Sequence, residues 1–185
     1  MIRTPFLEDE KIYLCGFSSE DVVEWTSWFN NPATTEYMNK GFFPVPVNEQ
    51  MKRLDDMCMN KSELQLAIFD KESNLLLGTV GLHKIDWVHR TGDISIVIGS
   101  KEGQGKGYGK RAVALVVRHA FNKLNLHKIT SGMWSNNSAS ESCFKANGFQ
   151  QEGCRKEQFH CQGRYVDELN YGLLRSQWLE YKTKR

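Results

Sequence analysis

The chain has 185 residues, of which 40% are hydrophobic and 25% charged, as in a globular protein with an ample core. Its formal charge of +2 is too small to indicate a nucleic-acid or membrane-surface partner. No apolar run approaches about 18 residues, and the first residues lack the apolar core of a signal peptide, so we expect a cytoplasmic protein. We expect one domain over residues 1–185.

The cysteine pattern argues against disulfide bonds and against a zinc site. The chain has five cysteines, an odd number, and no two of them form a C-x-x-C pair. A disulfide framework and a zinc site both fit this pattern poorly. We therefore expect reduced thiols and no bound metal.

Hydrophobic periodicity and turn residues divide the chain into helices and strands. Ser18 or Ser19 is predicted to cap the first helix, Asn30-Asn31-Pro32 to end it, and Asn48 to cap the second. The predicted elements in chain order are strand 11–17, helices 20–29 and 49–59, strands 64–70, 75–85 and 90–100, helix 111–124, strand 128–134, helix 139–146 and a closing hairpin over 158–174 that turns at Gln162-Gly163. This order, βα(α)βββαβαββ, predicts an α/β (α+β) fold with a mixed sheet.

A glycine-rich segment, GSKEGQGKGYGKR at 99–111, lies between a predicted strand and a predicted helix. Free backbone N–H groups and the helix dipole make such a helix start an anion site, and glycine lets the backbone approach a phosphate. Lys106, Lys110 and Arg111 add positive charge. The segment therefore predicts a phosphorylated ligand.

Two phosphate-binding patterns do not fit this segment. The P-loop pattern G-x-x-x-x-G-K-[ST] is absent, and the dinucleotide pattern G-x-G-x-x-G lacks its last glycine. The pattern Q-x-x-G-x-G does fit, from Gln104 to Gly109. It resembles the pyrophosphate loop of the GCN5-related N-acetyltransferases (GNAT), which bind acetyl-CoA.

The resemblance extends over about residues 10–180. The stretches NLHKI (125–129), NGFQQEG (147–153) and QGRYVDELNYGLL (162–174) are similar to ribosomal-protein N-terminal acetyltransferases, and IDWVHRTGDISIVIGS (85–100) resembles spermidine N-acetyltransferases. The resemblance implies a mostly antiparallel central sheet that is flanked by helices and splayed at the CoA site.

The resemblance also implies how acetyl-CoA is held. The backbone of one strand should pair with pantetheine, and the glycine loop should hold the pyrophosphate. Asn137, a candidate catalytic residue, should hydrogen-bond the pantetheine arm. It could also cap a helix, as Ser138 or Ser140 could, and the two roles can coexist. The implied cofactor-binding residues are Ile96, Val97, Ile98, Gln104, Gly105, Lys106, Gly107, Tyr108, Gly109, Lys110, Asn137 and Ser140.

One position departs from the family pattern. Many members place a tyrosine five residues before the phenylalanine of the G-F pair, as the acid for the leaving thiolate. Here that residue is Phe144, which cannot donate a proton, and the adjacent Ser142 and Cys143 are weak substitutes. A thiolate needs protonation less urgently than an amide leaving group, because the reference pKa of a thiol is only about 8.5.

Several side chains are candidates for the base and the acceptor pocket. Asp93 is the favoured catalytic carboxylate, acting directly or through water, but it could instead be a structural partner of Arg90 or Lys128. His83 could share the cleft or be a satisfied half-buried histidine. The other candidates for the acceptor pocket lie on the last hairpin, namely His160, Tyr165, Asp167 and Glu168; Trp28, Trp87 and Trp134 are expected in the core or the cleft wall.

Three acceptors compete, all attacked directly in a ternary complex: a small metabolite amine such as an amino sugar, a polyamine, and a protein N-terminus. Residues 30–60 hold few carboxylates, and the loop at 39–47 suggests a neutral, aromatic cleft, so the amino sugar is preferred. A non-catalytic CoA-binding protein is the alternative of another class, and a homodimer is left open.

Overall fold

The structure is a computed structural model that describes residues 3–183. The strands are β1 (Leu7–Glu8), β2 (Ile12–Cys15), β3 (Leu64–Asp70), β4 (Leu76–Asp86), β5 (Thr91–Ile98), β6 (Lys128–Trp134), β7 (Gln150–Cys161) and β8 (Arg164–Leu174). The helices are α1 (Ser19–Phe29), α2 (Pro32–Thr35), α3 (Val47–Met59), α4 (Tyr108–Asn122), α5 (Ser138–Lys145) and α6 (Arg175–Thr183). Over the described part of the chain, no helix has the length and apolar character needed to cross a membrane.

The strands of the described chain form one sheet in the order β1-β2-β3-β4-β5-β6-β8-β7. Only β5 and β6 pair in parallel, and every other neighbouring pair is antiparallel. The predicted mixed, mostly antiparallel sheet is confirmed.

The parallel pair is short, and this opens the sheet. β5 and β6 are in register only from Thr91 opposite Lys128 to Asp93 opposite Thr130. Beyond that point β5 keeps pairing with β4 as far as Ile98, and β6 keeps pairing with β8 as far as Trp134. The two central strands therefore diverge and leave a wedge with unpaired backbone on both sides.

Helix α4 covers one face of the sheet with the apolar stripe that its sequence predicts. Val113, Val116, Val117 and Phe121 are fully buried and join a cluster that includes Ile94 of β5. Burying one such side chain contributes roughly 1.5–3 kcal/mol, so this contact fixes the helix on the sheet. The start of α4, where the glycine loop ends, is thereby held beside the wedge.

Some predicted boundaries are wrong for identifiable reasons. α4 begins at Tyr108 rather than 111, because Gly107 adopts a left-handed φ of 80° and becomes its N-cap. α3 begins at Val47, with Pro46 in extended conformation before it, so Asn48 lies inside the first turn instead of capping it. Pro32 opens the short helix α2, capped by Asn31, since proline is tolerated at the first helical position.

The last hairpin is longer than predicted, since β7 begins at 150 rather than 158. Its turn at Gln162-Gly163 is confirmed, and both residues have positive φ, 49° and 81°. Such a two-residue turn matches the twist of the paired strands. At the first helix, Ser18 is the cap, and it exchanges hydrogen bonds with Asp21 in a capping box.

Candidate active site

The wedge between β5 and β6 opens into a cleft of about 870 Å³. Its walls come from α1, the 34–40 segment, β4, β5, the glycine loop, β6 and α5. The predicted cofactor residues lie along it: Ile96, Val97, Ile98, Gln104, Gly105, Gly107, Tyr108, Gly109, Lys110, Asn137 and Ser140 all line the cleft. Lys106 is exposed on the same loop.

The glycine loop is open toward solvent where a phosphate would approach. Gly105 and Gly107 have φ of 72° and 80°, and a Cβ built on either would meet no atom within 4 Å. Gly107 is the N-cap of α4 and has no side chain to accept a hydrogen bond from the first turn of the helix, and that turn contains no acidic residue. The free N–H groups of that turn are therefore available to an anion.

Two side chains of the loop hold it in place. Tyr108 Oη donates a hydrogen bond of 2.6 Å to Asp70 Oδ2 at the end of β3. This bond is the main reason that the pKa of Asp70 is lowered to about 2. Gln104 Nε2 makes a longer contact, 3.5 Å, with the carbonyl oxygen of Ile98. The side chain of Tyr108 thus anchors the loop and leaves the backbone free.

Arg111 does not supply charge to the loop as its sequence position suggested. Its guanidinium donates to Asp9 at 3.0 Å and also to Glu10, both in the turn between β1 and β2. The positive charge near the loop therefore comes from Lys106 and Lys110, which are exposed.

The strand edge that faces the wedge can accept another extended chain. Ile96, Val97 and Ile98 pair with β4 on one side and have no strand partner on the other. The side chains of Ile96 and Ile98 pack on the core cluster that includes Ile94, which holds the strand on that cluster. Their outward N–H and C=O groups can therefore bind an amide-containing ligand.

Asn137 serves as the cap of α5. Its side-chain oxygen accepts a hydrogen bond of 3.0 Å from the N–H of Ser140. The cap uses only the carbonyl oxygen, so the two N–H donors of the amide are not spent on it. Capping and binding of the pantetheine arm are therefore compatible, as the sequence anticipates.

Asp93 lies at the closed end of the wedge. Its Oδ2 accepts a hydrogen bond of 3.0 Å from Thr130 Oγ1 on β6. Burial raises the pKa of Asp93, and the Thr130 bond opposes that rise. Lys128, one of its suggested partners, instead pairs with Glu152 at 2.7 Å. The residue opposite Asp93 on β4 is His83.

Glu168 is the one carboxylate among the hairpin candidates for the acceptor pocket that lines the cleft. Glu168 of β8 lies over Gly132 of β6, where a Cβ would be 2.7 Å from its Oε1. Its side chain is 15% exposed and pairs with Arg155 at 2.9 Å. The glycine on β6 leaves the space that the Glu168 side chain occupies, and this becomes meaningful only once the strand register is known.

Three aromatic rings form one wall of the cleft. Trp134 stacks on Phe159 with ring centroids 4.9 Å apart, and Tyr37 meets Trp134 edge-on at 6.3 Å. Trp134 was expected in the core or cleft wall, and it is in the wall. Trp28 is buried, whereas Trp87 is 48% exposed on the turn after β4, so that part of the prediction is wrong.

Phe144 and Cys143 both face the cleft beside the glycine loop. Phe144 is 1% exposed and packs against Phe149, and it carries no proton donor. A Cβ on Gly109 would lie 3.8 Å from Cys143 Sγ. Burial raises the pKa of the Cys143 thiol to about 11, so it stays protonated at neutral pH.

The other hairpin candidates lie outside the cleft. His160 and Tyr165 are exposed and contact each other with ring centroids 5.3 Å apart. Asp167 pairs with Lys156 at 2.9 Å on the surface of the hairpin. Within residues 3–183, no group of three His, Cys, Asp or Glu side chains is arranged to hold a metal ion.

Comparison with known proteins agrees with this geometry. The protein-family model of the acetyltransferase (GNAT) domain matches residues 11–150 of this chain. A spermidine N(1)-acetyltransferase of Vibrio cholerae is 32% identical over 120 residues, which cover 65% of this chain and 68% of that protein. An uncharacterized N-acetyltransferase, p20 of Bacillus licheniformis, is 25% identical over 174 residues, covering 93% and 97% of the two chains.

A solved structure shows the same fold. The crystal structure of a spermidine N-acetyltransferase from Vibrio cholerae, in complex with CoA and spermine, has a TM-score of 0.84 and 25% identity to this chain. The match covers 92% of this chain and 99% of that one. With the glycine loop, the splayed strands and the family match in agreement, the chain belongs to the GNAT family and is an acetyl-CoA-dependent N-acetyltransferase.

Proposed function

We propose that this protein acetylates a primary amino group of an aliphatic amine of the polyamine class, by direct attack on acetyl-CoA in a ternary complex. This replaces the amino sugar that the sequence favoured. The observation that carries the proposal is the carboxylate of Glu168, which is 15% exposed and lies over Gly132 in the cleft.

In the proposed complex, acetyl-CoA lies along the wedge. The N–H groups at the start of α4 and the loop from Gln104 to Lys110 hold the pyrophosphate. Pantetheine runs beside the open edge of Ile96, Val97 and Ile98, and the amide of Asn137 donates to it. A backbone N–H near Val97 then polarises the thioester carbonyl, which stabilises the oxyanion that forms during attack.

The chemistry of the cleft suits an alkylammonium group. A cation is attracted to a carboxylate and to aromatic faces, and methylene groups pack on the same rings. Glu168 supplies the carboxylate, and Trp134, Phe159 and Tyr37 supply the rings. An amino sugar would instead need several polar partners for its hydroxyl groups.

The carboxylate of the proposed acceptor site comes from outside residues 30–60, the segment whose few carboxylates spoke against a polyamine. Lys40 and Arg53, from that part of the chain, do line the cleft and would repel an ammonium group there. Glu168 comes from β8, on the other side of the wedge. The positive charges of Lys40 and Arg53 and the negative charge of Glu168 thus direct the cationic end of an acceptor toward β6 and β8. The spermidine N-acetyltransferases among the relatives support the same class of acceptor.

The test is release of CoA thiol with a panel of acceptors: spermidine, spermine, a diaminoalkane, an amino sugar and a peptide with a free N-terminus. We expect the highest kcat/KM with a polyamine, by about tenfold or more over the amino sugar. A higher kcat/KM for the amino sugar or the peptide would refute the proposed acceptor class.

A pair of variants tests the role of Glu168. Glu168→Gln should raise KM for the polyamine about tenfold and leave the Kd for acetyl-CoA unchanged, since the charge that it removes faces the ammonium group and Arg155 but not the CoA loop. Asp167→Asn is the matched control, because Asp167 is adjacent on β8 and pairs with Lys156 outside the cleft. Equal effects of the two variants would argue against an ammonium site at Glu168.

We also propose that the active form is at least a homodimer. The dodecameric structure of a spermidine N-acetyltransferase from Vibrio cholerae supports an oligomeric form. Light scattering on the purified protein measures its mass directly, and a monomeric mass at full activity would refute this part of the proposal.

A further inference from the structure

Three polar side chains form a hydrogen-bonded row on the face of the sheet opposite α4. His83 of β4 lines the cleft, and its Nε2 lies 2.8 Å from Ser95 Oγ on β5. Its Nδ1 lies 3.4 Å from Glu63 Oε2, just before β3. The His83 and Glu63 side chains are 20% and 28% exposed, so the row is partly screened from solvent.

The strand register explains why the imidazole takes this position. Gly81 is opposite Ser95, and His83 is opposite Asp93 on the β4–β5 pair. Because Gly81 has no side chain, the ring of His83 can lean over it toward Ser95. A Cβ on Gly81 would clash with His83 Nε2.

The partners assign the protons of the ring. An ionised carboxylate only accepts hydrogen bonds, so the nitrogen facing Glu63 carries the proton. The other nitrogen, Nε2, then carries a lone pair, and it accepts a hydrogen bond from the Ser95 hydroxyl. This arrangement of an acceptor-only group, an imidazole and a hydroxyl is one that can take a proton from a group bound beside Ser95.

We propose that His83 is the general base for the acceptor amine, with Glu63 as its positioning residue and Ser95 as the relay. The inference rests on the proposed function only in requiring an amine acceptor, not in requiring a polyamine. Ser95 is two residues before Val97, which corresponds to about 7 Å along a strand. The Ser95 hydroxyl together with one water molecule bridges that span between His83 Nε2 and an amine beside the acetyl group.

The reaction removes two protons from the acceptor nitrogen. The bound ammonium group passes one proton through Ser95 to His83 Nε2 and becomes a neutral amine. The amine nitrogen then bonds to the acetyl carbon, the C–S bond breaks, and the second proton from nitrogen goes to the departing CoA thiolate. His83 finally releases its proton to solvent, so that one acetyl group and one net proton have been transferred.

The charged groups around His83 suit this role. Glu63 faces it from the segment before β3, and Asp93 faces it from β5, while Lys40 and Arg53 border the same cleft from the helical side. The two carboxylates stabilise the imidazolium that forms when the proton arrives. In this proposal Asp93, which the sequence favoured as the base, instead stabilises the protonated form of His83.

The decisive experiment is the pH dependence of kcat/KM with whichever panel amine the protein turns over best. The wild type should show a limb that falls as the pH drops below neutral, because a protonated imidazole cannot accept the proton of the ammonium group. His83→Gln should lower kcat about 100-fold or more, remove that limb and leave the Kd for acetyl-CoA unchanged. His89→Gln is the control, because His89 is exposed on the turn after β4.

Additional variants separate a base from a merely structural histidine. Added imidazole should restore part of the activity of His83→Ala and none of Asp93→Asn. Glu63→Gln should lower kcat about tenfold with little change in KM, and Glu63→Asp should recover part of the loss. Gly81→Ala keeps the imidazole of His83 but displaces it from Ser95. Its kcat should therefore lie between those of the wild type and His83→Gln.

Three results would overturn the proposal. The first is a His83→Gln enzyme that keeps the wild-type limb. The second is loss of the limb in Asp93→Asn alone. The third is an acetyl group trapped on Ser95, which would make the row a nucleophile site instead. An inactive wild type across the whole amine panel would contradict the proposed function itself, so the two failures are distinguishable.

Discussion

Tyr108 and Asp70 tie the glycine loop to the end of β3. The tyrosine is the first residue of α4, and its hydroxyl donates a hydrogen bond of 2.6 Å to the Asp70 carboxylate. The contact joins segments 38 residues apart in the chain and orients the helix N-terminus that faces the cleft. A loop with several glycines loses much conformational entropy on ordering, and this bond helps to offset that cost.

The first prediction is that Tyr108→Phe lowers the free energy of unfolding by about 1 kcal/mol at neutral pH. The pKa of Asp70 is depressed from 3.8 to about 2 in the folded protein, so its contribution is present above the unfolded value. That contribution is lost as the pH falls from about 4 to about 2. Denaturant unfolding should show the difference between variant and wild type shrinking over this window. Tyr165→Phe, which removes an exposed hydroxyl, is the control, and an equal effect in both variants would contradict the prediction.

The second prediction concerns phosphate binding. Gly107→Val should raise the Kd for acetyl-CoA about tenfold or more, because a branched side chain blocks the approach to the α4 N–H groups and strains a φ of 80°. Calorimetry measures the change. Gly163→Val is a matched control, since Gly163 has a φ of 81°, equally open surroundings and a place on the β7–β8 turn. Unchanged affinity in Gly107→Val would disprove the loop assignment.

The third prediction contrasts two positions in the cleft. Phe144→Leu should keep kcat within about threefold of wild type, because the ring transfers no proton, and cost about 1 kcal/mol of stability. Asp93→Asn should lower kcat about tenfold, since a nearby negative charge is lost while the Thr130 hydrogen bond can persist. Steady-state rates of both folded variants decide this. Equal rates for Asp93→Asn and wild type across the pH range would remove Asp93 from the mechanism.

The fourth prediction is that Asp93→Asn is more stable than wild type at neutral pH. Burial raises the pKa of Asp93, so folding disfavours its ionised form, and stability is lost as the pH rises through the folded value. A neutral amide avoids that loss. Thermal unfolding at pH 7 should show a higher Tm for the variant, and the advantage should vanish in acid. A lower Tm at pH 7 would contradict this account.

The fifth prediction is sequential kinetics without an acetyl-enzyme. Double-reciprocal plots at several amine concentrations should intersect, since both substrates bind before reaction. Burial raises the pKa of Cys143 to about 11, which keeps the thiol protonated and poorly nucleophilic. A thiol reagent at pH 7 should therefore modify the exposed Cys154 well before Cys143, as mass mapping can show. Parallel plots together with an acetyl group on Cys143 would refute the direct mechanism.

Local sequence was sufficient for most of the fold. The alternation of Ile94, Ile96 and Ile98 and the apolar stripe of α4 each depend on neighbours within a few residues, and in the structure both sets are buried in the core or packed on it. The family membership and the mixed sheet are confirmed for the same reason, because motif spacing and periodicity are local properties. The roles of the loop residues and of Asn137 in cofactor binding stay predictions.

Contacts between distant strands were decided only by the tertiary structure. Whether Glu168 reaches the cleft depends on the register of β8 against Gly132, and whether His83 meets Ser95 depends on the missing side chain at Gly81. Arg111 and Trp87 likewise took positions that their local sequence did not reveal. A one-residue shift in strand register turns every side chain to the other face, and no local pattern of apolar and polar residues specifies which strands become neighbours. The family and the phosphate loop were therefore predictable from the sequence, whereas the acceptor side of the cleft required the assembled sheet.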